Sequence, residues 1–415
     1  MTTTPQAFRG RLLTPLAGGG IRWLEDALLI TDGARITSVA PFTRDAFPGA
    51  ILDLRPAVIL PGFIDTHVHF PQTRVIGRAA GPLLEWLERV VFPEEARFRD
   101  AAYARAVGLE FTAHLAAAGT TTACIFGSSS ETATDVLFAS LAASGLRAIA
   151  GLTLMDQQCP EPLRVPREEA MAACARLVDR WHGHDGGRLS FAITPRFALS
   201  CSRRLMEDAA RFAEERRLVV QTHVAENPAE GAAVLAEHPF ATDYLDVYDT
   251  LGLLGERTVL AHAIHLSTAE WDRVARRGAA IAHCPDSNFF LGSGRMRLTE
   301  ARSRGVRVAL GSDVAAGRSF DLRRAMAYAY DNALCLGDHV DPAELLTLAT
   351  LGGARTLGLD AVTGSLEPGK DADLIAVDLP DHAADEHAVL ALLAFADAGR
   401  VTRTIVRGRS IFARA

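Results

Sequence analysis

The feature that most constrains this chain is a rhythm. From residue 58 onward, eight short apolar runs alternate with longer helical patterns. The runs are VILPGFIDTHVH (58–69), GTTTACIFG (119–127), LRAIAGLTL (146–154), LSFAITPRF (189–197), LVVQTHVAE (218–226), TVLAHAIHL (258–266), AAIAHCPDSN (279–288) and VRVALGSDV (306–314). Between them lie helical stretches such as 101–119, 166–181 and 202–217. Strands that alternate with helices pair in parallel, and eight such units close on themselves. The expected fold is therefore α/β: a (β/α)8 TIM-type barrel over residues 58–364. Residues 1–57 and 365–415 instead carry strand and turn patterns (RLLTPL, DALLITDG, RITSVAP, VTRTIVRGRSIF). Each end is small for a core of its own, so a single composite β-sandwich built from both termini is expected.

Composition bears mainly on partners. Of 415 residues, 49% are hydrophobic and 22% charged, as in ordinary globular domains. A net charge of -7 offers no basic footprint for nucleic acid or an anionic membrane. The N-terminal stretch lacks the apolar core of a signal peptide, and no run approaches the ~18 apolar residues of a membrane span. The six cysteines (124, 159, 174, 201, 284 and 335) are scattered without a C-x-x-C, as expected of reduced core thiols. The expectation is a cytoplasmic protein that binds neither nucleic acid nor membrane.

In such barrels the chemistry sits at the C-terminal ends of the strands. There the first run ends in His67 and His69, which side-chain alternation aims at one face. The fifth ends in His223 and Glu226, the sixth in His262, the eighth in Asp313. Imidazoles with a carboxylate suit Zn²⁺ or Fe²⁺ better than Ca²⁺. Singly, each has a plainer role: His262 a packed core residue, Asp313 a helix N-cap, Glu226 a solvated first-turn carboxylate. Agreement among four strand ends is what argues for a metal site.

H-x-H, the later His, His and Asp, and the tail G-x-L-x-P-G-K-D-A-D-L (364–374) together resemble the amidohydrolase superfamily. Within it the chain is similar to the guanine deaminase family, through PGFIDTHVHFPQ (61–72), LLEWLERVVFPEEARF (83–98), ITPRFALSCS (193–202), THVAEN (222–227), LAHAIHLS (260–267), AHCPDSN (282–288) and LGSDVAAG (310–317). The resemblance implies His67, His69, His223 and Asp313 as metal ligands, with Asp313 also accepting a proton from water. It implies Glu226 as proton shuttle and His262 as a group orienting the water. Gln72, Arg196 and Phe197 would contact the substrate along with Glu226 and His262. The implied cofactor is one Zn²⁺ per chain, with Fe²⁺ the alternative. The implied substrate is a purine base, guanine, hydrolysed to xanthine and ammonia in purine catabolism, by a homodimer. Two-metal barrel hydrolases often bridge their ions with a carboxylated lysine on strand four, whereas the sole lysine here, Lys370, lies outside the barrel.

Without the resemblance, Arg196 reads as a surface charge and Phe197 as core. Trp86 and Phe92 fit either a pocket cover or ordinary packing. Two rivals remain at this stage. One is another deaminase or chlorohydrolase of the superfamily, acting on cytosine, S-adenosylhomocysteine or a triazine. The other is a non-catalytic barrel with a structural metal.

Overall fold

A computed structural model describes residues 6–396 and 398–414, so the parts of the terminal unit expected at 1–5, 397 and 415 lie outside the described residues. The N-terminal strands are β1 (Gln6–Pro15), β2 (Ile21–Asp32), β3 (Arg35–Pro41) and β4 (Ile51–Pro61). The barrel strands are β5 (Phe63–His69), β6 (Thr120–Phe126), β7 (Arg147–Gly151) with its extension β8 (Thr153–Leu154), β9 (Leu189–Pro195), β10 (Val219–Val224), β11 (Thr258–His262), β12 (Ala280–His283) and β13 (Arg307–Leu310). The chain ends in β14 (Leu374–Asp378), β15 (Arg400–Val406) and β16 (Arg409–Ala413).

β5 through β13 pair in parallel in chain order. The ends meet where the Asp313 N–H donates to the His67 carbonyl (2.9 Å) and the His69 N–H to the Val314 carbonyl (3.2 Å). Ile64, Cys124, Ile149, Ala192, Val259 and Ala282 point inward and pack together, so the lower barrel is a filled core and chemistry is confined to the upper rim.

The terminal strands form one seven-stranded sheet, β16-β15-β14-β4-β1-β2-β3, antiparallel except between β1 and β4. It curls so that the start of β3 meets the segment before β14: Ile36 N–H donates to the Lys370 carbonyl (2.8 Å) and Ala372 N–H to the Ala34 carbonyl (2.7 Å). Phe8, Leu12, Leu29, Ile36, Ile59 and Leu374 fill the enclosed space.

Two expectations need correction. The run 58–69 is not one strand: residues through Pro61 belong to β4 in the terminal sheet, where Pro61 pairs with Leu374, and the barrel starts only at Phe63. Gly62 makes the turn between the two sheets, because a Cβ there would lie 2.1 Å from the Thr121 side chain. The terminal sheet therefore extends past residue 57. At the other end, residues 365–415 are not all sheet. Helix Glu386–Phe395 buries Val389, Leu390, Leu393 and Ala394 in the large core shared with the barrel helices.

The insert after β5 matters most for the site. Helix Leu83–Trp86 runs through a π-helical turn at Leu87–Val91 into helix Phe92–Glu95. Pro93, which has no N–H to donate, follows that wider turn. The segment presses Leu83, Trp86, Leu87 and Phe92 inward over the barrel mouth.

Candidate active site

Asp65, His67 and His69 alternate along β5 and share one face of it. His67 Nε2 lies 3.1 Å from His69 Nε2, which lies 3.2 Å from His223 Nε2 at the end of β10. Asp313 Oδ1, just past β13, is 3.2 Å from His67 Nε2 and 3.3 Å from His69 Nε2. Donors held ~2.0–2.1 Å from one ion in a tetrahedron are ~3.3 Å apart. These four contacts thus have the spacing found within a zinc ligand set. His262 closes the far side: its ligand nitrogen, those of His67 and His223 and a carboxylate oxygen of Asp313 all lie within 4.8 Å of one another. Its Nε2 is 3.8 Å from Asp313 Oδ2, longer than the other contacts.

Hydrogen bonds determine which nitrogens face inward. His223 Nδ1 donates to the Arg196 carbonyl (2.5 Å) and His262 Nδ1 to Asn288 Oδ1 (2.9 Å). Each Nε2 therefore presents a lone pair to the centre. Phe126, fully buried at the end of β6, packs on the rings of His67, His69 and His223 with centroids 4.7–4.9 Å away. Burial lowers the His69 pKa to about 4 and holds His223 well below the ordinary histidine value, so both are neutral at pH 7 as ligands must be. Burial also pushes Asp313 upward, but its hydrogen bonds and charge interactions with His67, His69 and His262 outweigh this and hold it well below the carboxylate range. His262, Ala263 and Asp313 all have left-handed backbone (φ 71°, 51° and 49°), strain typical of functional strand ends.

Glu226 faces the same centre, with Oε2 3.4 Å from His262 Nε2 and Oε1 accepting from Ser293 Oγ (3.0 Å). Burial, then the charge of Asp313, raises it to about 8. Such a carboxyl can hold and release a proton near neutrality. Its plainer role at a helix start is taken by Asn227, which caps helix Pro228–Glu237. Asp313 caps no helix either, since Asp321 caps the one that follows.

A pocket opens above the centre. It is lined by His69, His223, His262, Glu226 and Asp313 together with Gln72, Arg196, Phe197, Trp86 and Leu291. Arg196, at 3% exposure, is no surface charge. Trp86 covers the pocket, whereas Phe92 is core, packed beneath the Arg196 guanidinium (5.2 Å).

The structure adds four residues absent from the sequence reading. Asp65, on the His67 face of β5, accepts from the N–H groups of His67 and Ser312 (3.2 and 3.0 Å) and from Ser312 Oγ (2.5 Å). Side-chain alternation was the signal that could have found it. Asn288, Ser293 and Glu95 carried no such signal.

A family model, the amidohydrolase family, matches residues 58–411. The chain belongs to the amidohydrolase family. A probable guanine deaminase of Deinococcus radiodurans is 42% identical over 94% of this chain and 93% of its own length. The solved guanine deaminase of E. coli superposes with a TM-score of 0.95 at 35% identity, covering 99% of this chain and 100% of that one. That of C. acetobutylicum, with guanine bound in its active site, superposes with a TM-score of 0.92 at 30% identity, covering 99% and 100%. Members of the family depend on metal, and the His and Asp cluster has the donors to hold one. Among the described residues, no helix is long and apolar enough to cross a membrane.

Proposed function

We propose that this chain is a guanine deaminase that converts guanine and water to xanthine and ammonia. The observation that carries the reading is one pocket that Arg196 and Gln72 line together with a His/His/His/Asp centre and the buried Glu226. The relatives above point the same way: one is named a probable guanine deaminase and two are named guanine deaminases, one of them with guanine bound.

His67, His69, His223 and Asp313 would hold a single Zn²⁺ or Fe²⁺. Such an ion supplies a water acidified to a pKa of about 7. Asp313 accepts a proton from the attacking water. His262, its Nδ1–H committed to Asn288, offers Nε2 to orient that water. The water oxygen bonds to C2 of guanine and the exocyclic C2–N bond breaks. Glu226, with Oε1 tied to Ser293, gives its proton through Oε2 to a ring nitrogen. It takes up the remaining water proton as the C2 carbonyl forms and passes it to the departing amine, which leaves as ammonia. The proton held by Asp313 then restores Glu226. General acid–base help of this kind contributes about 10²–10⁴-fold.

With C2 toward the centre, guanine turns its O6 and N7 acceptors outward, where arginine is their commonest protein partner. Adenine presents an amino group in place of O6 and would set donor against donor. The sole lysine, Lys370, donates to Ser365 Oγ (2.7 Å), and Ala372, two residues on, lies in the terminal-sheet core, which supports one ion rather than a lysine-bridged pair. Six free cysteines agree with a reducing, cytoplasmic setting, and a homodimer and a place in purine catabolism follow from the resemblance.

Ultraviolet assay of metal-replete protein on guanine, adenine, cytosine and a triazine tests the reading. Guanine should be preferred by on the order of 10⁴-fold. Turnover of cytosine or a triazine with guanine ignored would overturn the substrate and leave only the family mechanism.

A further inference from the structure

Glu95 is a buried carboxylate, 4% exposed, in the helical insert above the barrel mouth, and none of the chemistry above uses it. Its two oxygens are divided between two pocket side chains from different strands. Oε1 accepts from Gln72 Nε2 (3.1 Å), beyond β5, and Oε2 accepts from Arg196 Nη1 (2.6 Å), beyond β9. An ionised carboxylate only accepts, so it determines the orientation of both partners.

For Gln72 the constraint is complete. The amide nitrogen must face Glu95, and the amide oxygen accepts the Ala315 N–H at 3.2 Å. One Nε2 hydrogen then remains for the pocket. For Arg196, Nη1 is committed to Glu95, and among the described residues no oxygen or nitrogen acceptor meets Nε or Nη2. The guanidinium is also held over the Phe92 ring. Its remaining donors are therefore aimed by two contacts on its protein side. Because Glu95 neutralises Arg196, the pocket can offer these donors to an uncharged ligand without leaving a buried charge unpaired.

Resting on the guanine reading above, we propose that Glu95 is the positioning residue for substrate choice: it holds Gln72 and Arg196 as one donor array matched to the O6 and N7 acceptors of a 6-oxopurine. It acts through those two side chains and has no part in the bond-breaking step.

Glu95→Gln tests this with little change of shape. A glutamine cannot accept from both partners. If its oxygen serves Arg196, its nitrogen faces the Gln72 nitrogen, and turning Gln72 over sets donor against the Ala315 N–H. The probes are guanine and 2,6-diaminopurine, which share the 2-amino group and differ at C6 and in the hydrogen on N1. In Glu95→Gln, KM for guanine should rise about 10- to 100-fold, the loss expected for a charge-assisted hydrogen bond. kcat should change less than about threefold, as for contacts made equally in ground and transition states. The preference for guanine over 2,6-diaminopurine should fall by the same factor, with metal content and Tm near wild type. In an Arg196→Ala background the substitution should add little, since the effects share a path. Should Glu95→Gln fold poorly, Glu95→Asp keeps the charge but shortens the reach, and should show the same guanine-selective KM rise.

Wild-type protein inert on guanine removes the proposed function and this inference with it. Wild type active on guanine, with a folded Glu95 variant of unchanged KM and unchanged preference, overturns this inference alone.

Discussion

Asp65 offers a sharp test of how the metal ligands are placed. It is fully buried between the ends of β5 and β13, and its carboxylate collects the N–H groups of His67 and Ser312 and the Ser312 hydroxyl. His67 and Asp313 are thus anchored from either side by one group. Asp65→Ala strands two buried backbone donors, each costing about 1–3 kcal/mol, and opens a small cavity. The expected loss is about 3–6 kcal/mol. Asp65→Asn should cost only ~1 kcal/mol, because its oxygen still accepts both N–H groups while its nitrogen can donate to Ser312 Oγ. At about 2.1 cal/mol/K per residue, a chain of this length shifts by ~1 °C per kcal/mol. Differential scanning fluorimetry should therefore show Tm lowered ~3–6 °C for Ala and ~1 °C for Asn. Loosening His67 and Asp313 should also weaken metal retention against a chelator about 10- to 100-fold in the Ala variant. If Ala and Asn behave alike, or Ala holds metal as tightly as wild type, the acceptor argument fails.

Three further outcomes are expected. Glu226→Gln keeps the shape and the Ser293 contact but removes the proton carrier, so kcat should drop at least ~10²-fold with metal content unchanged; near-normal turnover would make Glu226 a bystander. Elemental analysis should find about one divalent ion per chain, as expected of one tetrahedral ligand set, and chelation should abolish turnover reversibly; two tightly held ions would contradict the single-metal reading. Glu230, buried beside the pocket and raised to about 7 by burial and the Glu226 charge, should make stability fall as pH rises. Between the unfolded value of about 4.3 and the folded value, the native protein keeps a proton that the unfolded chain has lost, worth up to ~1.4 kcal/mol per pH unit. Glu230→Gln, whose oxygen can still accept the Glu226 and Asn227 N–H groups, removes that slope, so its Tm relative to wild type should climb from pH 5 to pH 8. A flat difference would show that Glu230 does not titrate this way.

By itself the sequence determined what is local and periodic. Seven of the eight apolar runs contain barrel strands that begin within one residue of the expected start, because a strand buried on both faces must be apolar along its length whatever surrounds it. The last three strands stop four or five residues early. His67 and His69 share a face because side-chain alternation is a property of any strand. His223, His262 and Asp313 were legible because each polar residue ends an apolar run, where parallel barrels expose their rim. What the sequence could not express is which strand pairs with which. VILP and FIDTHVH are joined by the single residue Gly62, and only the close approach of Thr121 to Gly62, with β14 taking up Pro61, sends one to the terminal sheet and the other to the barrel. Glu95 shows the same limit at the site. In FPEE it has the pattern of a solvated helix carboxylate, and nothing local distinguishes it from Glu94. Its burial and its bonds to Gln72 and Arg196, residues 23 and 101 positions away, exist only once the insert folds over the barrel mouth. Those contacts are long-range in sequence and short-range in space, so it took the tertiary structure to decide them.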